Sequence, residues 1–378
     1  MENEKPMNLK ELVSQGYVEV AKLPKMNDAI LSDGKVDMGK LDKLEGYTVP
    51  VIAHDYSAIT PLMWNSLYRE KGISVANIMV VSDPVNAEIV TDAFRRDPKY
   101  LGGGFGVGWK EKMNELDEVR PRDLRSVNIV VKENGRLIGY NTDAEGFVRS
   151  LGEKLTGLER EISGSNFVVV GAGGVAKQVN FLLAEKGAGY LALVNRTFSK
   201  VVDQANELNK KYGNLAVGMG ENMTRGTLLN SEMAPAAIIN LSDKGSDSYP
   251  NATFFYEAPA KGDSAQANAF LHIARDTMRY SIQMDPNRVY ADITLPKEGR
   301  SVSLRIAKAE LSRYFINDRK MSTEDAEVEA EKRILDGRPM VIYQAAPAYR
   351  LVQDANPGVH KIRVHDSEAL SVFKKAVN

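Results

Sequence analysis

Two glycine-rich stretches of this chain have the composition to cradle a phosphate: LGGGFGVGWKEKM over residues 101–113 and VVVGAGGVAKQV over 168–179. A dinucleotide turn needs more than glycine; it must leave a buried strand and open a helix. The second stretch has that setting. Gly171, Ala172, Gly173, Gly174, Val175 and Ala176 fit G-x-G-x-x-A directly after an apolar run. In that pattern Gly171 permits the tight turn, Gly173 lets the backbone approach a pyrophosphate, and Ala176 is small enough for close helix–strand packing, with the helix N-terminus facing the phosphates. The plain alternative is a tight βα turn in a protein that uses no nucleotide. The first stretch follows a helical pattern instead, so only part of the required context is present there.

The residue ending the second strand of such a unit separates the two nicotinamide cofactors, because an acidic side chain there accepts from the ribose 2′-OH of NAD and repels a 2′-phosphate. Here the strand ends in Asn195-Arg196-Thr197, with Lys200 close behind. A guanidinium forks onto phosphate oxygens, a hydroxyl adds to it, and no carboxylate opposes them. NADP is the expected cofactor; an ordinary surface arginine is the alternative reading of Arg196.

These residues need elements to hold them. From Thr48 the chain reads strand (TVPVIA), helix from near Pro61, strand (ANIMVVS) and helix (NAEIVTDAFRRD), an α/β pattern. VNIVVKENGRLIGY reads as a hairpin about Asn134-Gly135. The Asn141-Thr142-Asp143 that follows would by default be a helix N-cap group. Residues 166–197 then give strand, glycine turn, helix and strand. Further strands are expected at 235–242 and 288–293, with a helix around QANAFLHIARDTMRY between them. Residues 317–337 carry charges on all sides, the mark of a solvated helix. Residues 8–46 read as a partly helical extension.

Composition bounds the rest. At 378 residues the chain is long enough for two domains. Lys and Arg total 49 against 50 Asp and Glu, a net charge of -1, which argues against a dedicated nucleic-acid binder and for a small-molecule partner. With 0 cysteines there is no disulfide, no thiol nucleophile and no Cys-ligated metal, and no metal site is expected. No apolar run approaches the roughly 18 residues of a membrane helix. The polar start MENEKPMNLKEL has no signal-like segment, so a cytoplasmic location is expected.

Four stretches, taken together and in order, resemble the shikimate dehydrogenase family: TPLMWN, VNIVV…LIGYNTDAEGF, VVVGAGGVAKQV with NRT, and DGRPMVIYQAA. The resemblance runs over roughly residues 48–356, with apparent insertions near 245–285 and 312–333. It implies an N-terminal α/β substrate domain and an NADP-binding Rossmann domain with a cleft between them. The expected boundaries are a 1–47 extension, a 48–145 substrate domain joined by a C-terminal helix at 341–378, and a 146–340 Rossmann domain. It implies Lys110 as the catalytic lysine, Asp143 as its aspartate partner, and Asn128 and Gln344 as substrate contacts. Gly337 and Met340 match positions beside the nicotinamide, and Ser57 and Thr60 stand near a serine motif that binds substrate carboxylate. The implied reaction is hydride transfer between NADP(H) and a secondary hydroxyl or ketone of a cyclic polyhydroxy acid; a homodimer is left open. Read without the family, Lys110 is a helix-surface lysine and Asp143 a cap.

The pattern is broken on the substrate side. Gly104, Gly106 and Gly108 stand where the family has Asn, Thr and Pro, and Leu295 replaces a tyrosine. A site built for hydrogen bonds discriminates strongly when they are removed, so a relative of shikimate is as well supported as shikimate itself. A nucleotide-binding sensor on an inactive scaffold is the competing reading. The retention of Lys110, Asn128 and Asp143 together argues against it.

Overall fold

The computed structural model describes residues 7–20, 47–53, 59–106, 108–110, 112–122, 124, 126–220, 233–244, 246, 252–254, 264–294, 296 and 299–377. The chain divides into two compact units, one made of Met1–Asp143 and Gln344–Asn378, the other of Ala144–Tyr343.

The first unit is built on a seven-stranded mixed sheet. Its strands are β1 (Glu19–Val20), β2 (Tyr47–Ala53), β3 (Val75–Val81), β4 (Gly102–Phe105), β5 (Glu118–Val119), β6 (Ile129–Glu133) and β7 (Arg136–Tyr140), in the order β1-β3-β2-β4-β6-β7-β5. The apolar runs of β2 and β3 pair in parallel and are buried almost throughout, as expected of strands covered on both faces. Helix α1 (Leu9–Ser14) buries Leu9 and Leu12, and β1 pairs antiparallel with β3, so part of the expected extension is built into the sheet. Helices α2 (Thr60–Lys71) and α3 (Ala87–Arg96) follow the expected pattern; α2 opens on Pro61 and stops at Gly72, whose φ of 62° is left-handed. The β6–β7 hairpin turns at Asn134 and Gly135, both with positive φ (51° and 79°).

The periodicity offers no strand over 102–105, yet β4 lies between β2 and β6. A Cβ on Gly102 would stand 2.6 Å from the Val130 carbonyl oxygen, and one on Gly103 2.6 Å from that of Pro50. The neighbouring backbones come so close that only glycine fits, a requirement set by partners distant in sequence.

The second unit is a doubly wound sheet of six parallel strands: β8 (Asn166–Val170), β9 (Tyr190–Asn195), β10 (Ala216–Gly220), β11 (Ala237–Asn240), β12 (Val289–Asp292) and β13 (Ile334–Leu335). Their order, β10-β9-β8-β11-β12-β13, is the 3-2-1-4-5-6 order of the Rossmann fold. Alternate strand residues feed two cores. Phe167, Val169 and Leu193 pack with helices α4 (Asp143–Thr156), α5 (Gly174–Glu185) and α6 (Phe198–Tyr212). Val168, Val170 and Ile238 pack with α7 (Ser264–Met284) and α8 (Val302–Asn317).

Two expectations change in detail. The charged segment 317–337 is a nine-residue helix, α9 (Thr323–Glu331), followed by β13; Ala326 and Ala330 are fully buried, small apolar contacts that the surrounding charges conceal. The expected single helix over 341–378 is two, α10 (Gly337–Ala355) and α11 (Asp366–Val377), because Pro357 lacks an N–H and Gly358 follows it. No helix among the described residues is long and apolar enough to cross a membrane. Among the described residues no group of three or more His, Cys, Asp and Glu is placed to hold a metal ion.

Candidate active site

Lys110 sits on a turn after β4, tied down at both sides. Its N–H donates to the Gly106 carbonyl at 3.1 Å, and its own carbonyl accepts from Val127 N–H at 3.0 Å. The preceding Trp109 is fully buried and donates through Nε1 to the Ser82 carbonyl at 2.8 Å, pinning the turn to the end of β3. The Lys110 ammonium is thereby delivered to the Asp143 carboxylate, with which it forms a hydrogen-bonded ion pair; the side chains are 22% and 7% exposed.

Asp143 is the first residue of α4, where a cap is the default role. Asn141 takes that role instead, its Oδ1 accepting from Asp143 N–H at 2.8 Å while its Nδ2 donates to the Ser126 carbonyl at 2.8 Å. The Asp143 carboxylate is left to bind side chains. Oδ2 takes Lys110, and Oδ1 accepts from Asn128 Nδ2 at 2.8 Å.

Asn128, buried at the start of β6, joins the remaining members. Its Nδ2 also lies 3.2 Å from Gln344 Oε1 and 3.1 Å from Thr142 Oγ1, and its Oδ1 accepts from Thr142 N–H at 2.9 Å. Thr142 Oγ1 donates to Gln344 Oε1 at 3.0 Å. Lys110, Asn128, Asp143 and Gln344 thus share one polar network inside the first unit. Thr142 belongs to it as well; the sequence reading passes over it although it lies in the Asn-Thr-Asp triplet. Thr60 is the partly buried first residue of α2. Ser57 lies outside the described residues, as does Leu295.

The departures in the glycine run now differ from one another. A Cβ on Gly104 would meet only ordinary contacts, Val51 Cγ2 at 3.5 Å and the Asn128 carbonyl at 3.8 Å, so the fold does not demand glycine there. Gly108 has φ +85°, a conformation closed to proline, so the turn into Lys110 cannot be that of a chain with proline at this position. Gly104→Ala is expected to change stability by less than about 1 kcal/mol, and Gly108→Ala to lower it by about 1–2 kcal/mol. Chemical denaturation of the two variants reads the difference.

In the second unit Gly171 joins β8 to the turn with φ +122°, and a Cβ on it would lie 2.8 Å from the Leu241 carbonyl carbon. The fold itself requires that glycine. Gly173 is different. It is the exposed N-cap of α5, and a Cβ on it would meet no protein atom within 4 Å. The fold does not require glycine there, and the exposed backbone leaves room for an outside group, a fit compatible with a pyrophosphate. The partly buried Ala172 and Val175 pack on the same core as Met340, near the start of α10, where Gly337 is buried. Gln204 Nε2 donates to the Ala172 carbonyl at 3.1 Å and braces the turn. At the end of β9, Arg196, Thr197 and Lys200 are exposed, Asn195 Nδ2 donates to the Thr197 carbonyl at 3.2 Å, and the Thr197 side chain makes no capping bond to α6.

Fold and site together define a two-unit dinucleotide-binding α/β protein with a lysine–aspartate pair in its non-Rossmann unit. No protein-family model matches the chain. It is 33% identical over 209 residues to the shikimate dehydrogenase (NADP(+)) of Geobacillus sp. strain WCH70, covering 50% of this chain and 73% of that protein. It is 27% identical over 305 residues to the shikimate dehydrogenase (NADP(+)) of Halothermothrix orenii, covering 79% and 88%. Matches to four other proteins of that name span 53–61% of their lengths. The solved shikimate 5-dehydrogenase from Listeria monocytogenes, in complex with shikimate and NAD, shares the fold with a TM-score of 0.58 at 17% identity, covering 88% of this chain and 96% of that one. The chain belongs to the shikimate dehydrogenase family.

Proposed function

We propose that this protein is an NADP-dependent oxidoreductase that interconverts a secondary hydroxyl and a ketone on a cyclic polyhydroxy acid, shikimate and 3-dehydroshikimate or a close relative. The observation that carries the reading is the Lys110–Asp143 ion pair bound into one network with Asn128 and Gln344. Relatives named shikimate dehydrogenase (NADP(+)) support the cofactor and the reaction type.

NADP, when bound, supplies the hydride acceptor or donor. On this reading the second unit binds it, with Gly173 and the α5 N-terminus at the pyrophosphate, Arg196, Thr197 and Lys200 at the 2′-phosphate, and Gly337 and Met340 beside the nicotinamide. The first unit handles the proton. In the oxidising direction Lys110 Nζ first releases a proton to solvent and then, as the neutral amine, takes the proton from the substrate hydroxyl; in the reducing direction the ammonium gives a proton to the ketone oxygen, the work of a positioned acid–base group. Asp143 orients that nitrogen and balances its charge. Asn128 and Gln344 offer amide groups to ring hydroxyls; Ser57 and Thr60 are the candidates for the substrate carboxylate.

NADPH absorbance in the presence of shikimate, quinate and related cyclic hydroxy acids tests the proposal. Turnover with at least one of them and NADP+ is expected. Firm NADP+ binding without turnover on any of them would sink the dehydrogenase reading and favour a nucleotide sensor.

A further inference from the structure

The C-terminal edge of the second sheet carries a buried polar knot that the roles above leave unused. Asp292, the last residue of β12, is fully buried. Its Oδ1 accepts from Asn240 Nδ2 at 3.0 Å, Thr294 N–H at 2.9 Å and Thr294 Oγ1 at 2.8 Å, and its Oδ2 from Ser301 Oγ at 2.6 Å. Asn240, the equally buried end of the adjacent β11, passes the constraint on. Its Nδ2 also donates to the Lys244 carbonyl at 2.9 Å, and its Oδ1 accepts from Ser242 N–H at 3.2 Å and Ser242 Oγ at 2.6 Å. A carboxylate only accepts, so the Asn240 amide can lie only one way round, and the 241–244 turn is held accordingly. That turn is what Gly171 packs on: a Cβ there would meet the Leu241 carbonyl at 2.8 Å and Ser242 N at 3.0 Å.

We propose that Asp292 is a positioning residue for the cofactor, its carboxylate fixing the Asn240 amide and, through it, the 241–244 turn against the dinucleotide glycines. The inference rests on the NADP reading above. Oδ1 faces three donors, among them the fixed Thr294 N–H and Asn240 amide, so a proton on Oδ1 sets donor against donor, and a proton on Oδ2 makes the Ser301 hydroxyl give up its donation; the arrangement favours the ionised form. A buried ionised group is also a poor source of stability, which makes a purely structural account of Asp292 weak. Burial pushes this carboxyl up to about 6 against the opposing effect of the bonds from Ser301, Thr294 and Asn240. Mildly acidic conditions therefore reach it. The charged groups on the adjoining segments are Asp243 and Lys244 on the turn, and Arg300, which is held by Glu331 and Asp336.

Calorimetric titration of NADP+ into the full chain and into D292N across pH tests the proposal. D292N, which keeps the shape but turns an acceptor into a donor, is expected to bind about tenfold more weakly at about pH 8 and within about twofold at about pH 5, where the unmodified Asp292 is itself mostly protonated. The 2′-phosphate titrates near 6 as well, but in both proteins alike, so their affinity ratio cancels it. A ratio of one at every pH, or a ratio above one that does not vary with pH, overturns the proposal. Thr294→Val deletes one hydroxyl donor and leaves the backbone bond. It is expected to raise the midpoint of the pH dependence by about half a unit or more; an unmoved midpoint overturns the proposal even where D292N does not fold. If the unmodified chain binds no NADP+, the proposed function falls together with this inference. If it binds and only the ratio test fails, the inference alone is lost.

Discussion

Lys110→Ala is expected to lower kcat by about 10²–10⁴-fold, the usual worth of a positioned acid–base group, while the Kd for NADP+ stays within about twofold. The asymmetry follows from placement. Lys110 belongs to the unit formed by Met1–Asp143 and Gln344–Asn378, and the glycine turn to the unit formed by Ala144–Tyr343. Removing the ammonium also leaves the buried Asp143 carboxylate without its counter-charge, with the Asn128 amide still donating to Oδ1. Truncating one member of a partly buried pair costs stability, on the order of 1–3 kcal/mol once the 22% exposure of the lysine side chain is allowed for. The variant should therefore melt earlier yet still bind cofactor. Single-turnover rates with saturating NADP+ make the measurement, and rescue by Lys110→Arg is expected to be poor, because a guanidinium holds its proton too firmly to exchange it. Unchanged turnover in Lys110→Ala would remove the lysine from the chemistry and leave a binding protein on an enzyme scaffold.

What could be read from sequence, and what could not, divides by the range of the interaction. Strands β8 and β9 are apolar runs bounded by their own turns, and the Asn134-Gly135 hairpin is written in two adjacent residues, so local chemistry suffices for both. β4 is illegible because Gly102 and Gly103 are required by the Val130 and Pro50 carbonyls of neighbouring strands. β13 is two residues long and has no period to detect. The site divides in the same way. Gly171 announces itself through the residues around it, whereas Asn128 and Gln344 are 216 positions apart, and only the family resemblance joined them. Asp292 and Asn240 are 52 apart, two polar residues at strand ends whose pairing only the parallel register of β11 and β12 reveals.

The cofactor preference offers the other large effect. Arg196→Ala is expected to weaken NADP+ binding by about 10–100-fold, the range of charge-assisted hydrogen bonds to a phosphate, and to leave NAD+ binding unaltered. Arg196 follows Asn195 at the C-terminal end of β9, where a carboxylate would select NAD, and it is exposed along with Thr197 and Lys200. Exposure sets the size of the effect. Charges in solvent are screened over about 10 Å at 0.1 M salt, so the preference for NADP over NAD should shrink as ionic strength rises. Lys200, in the first turn of the helix that follows Thr197, is expected to keep part of the phosphate attraction in the variant, which places Arg196→Ala towards the lower end of the range and Arg196→Ala with Lys200→Ala towards the upper. Paired titrations with the two cofactors at low and high salt decide the matter. Equal losses for NADP+ and NAD+ would show that Arg196 acts on the fold of the β9–α6 turn and not on the 2′-phosphate.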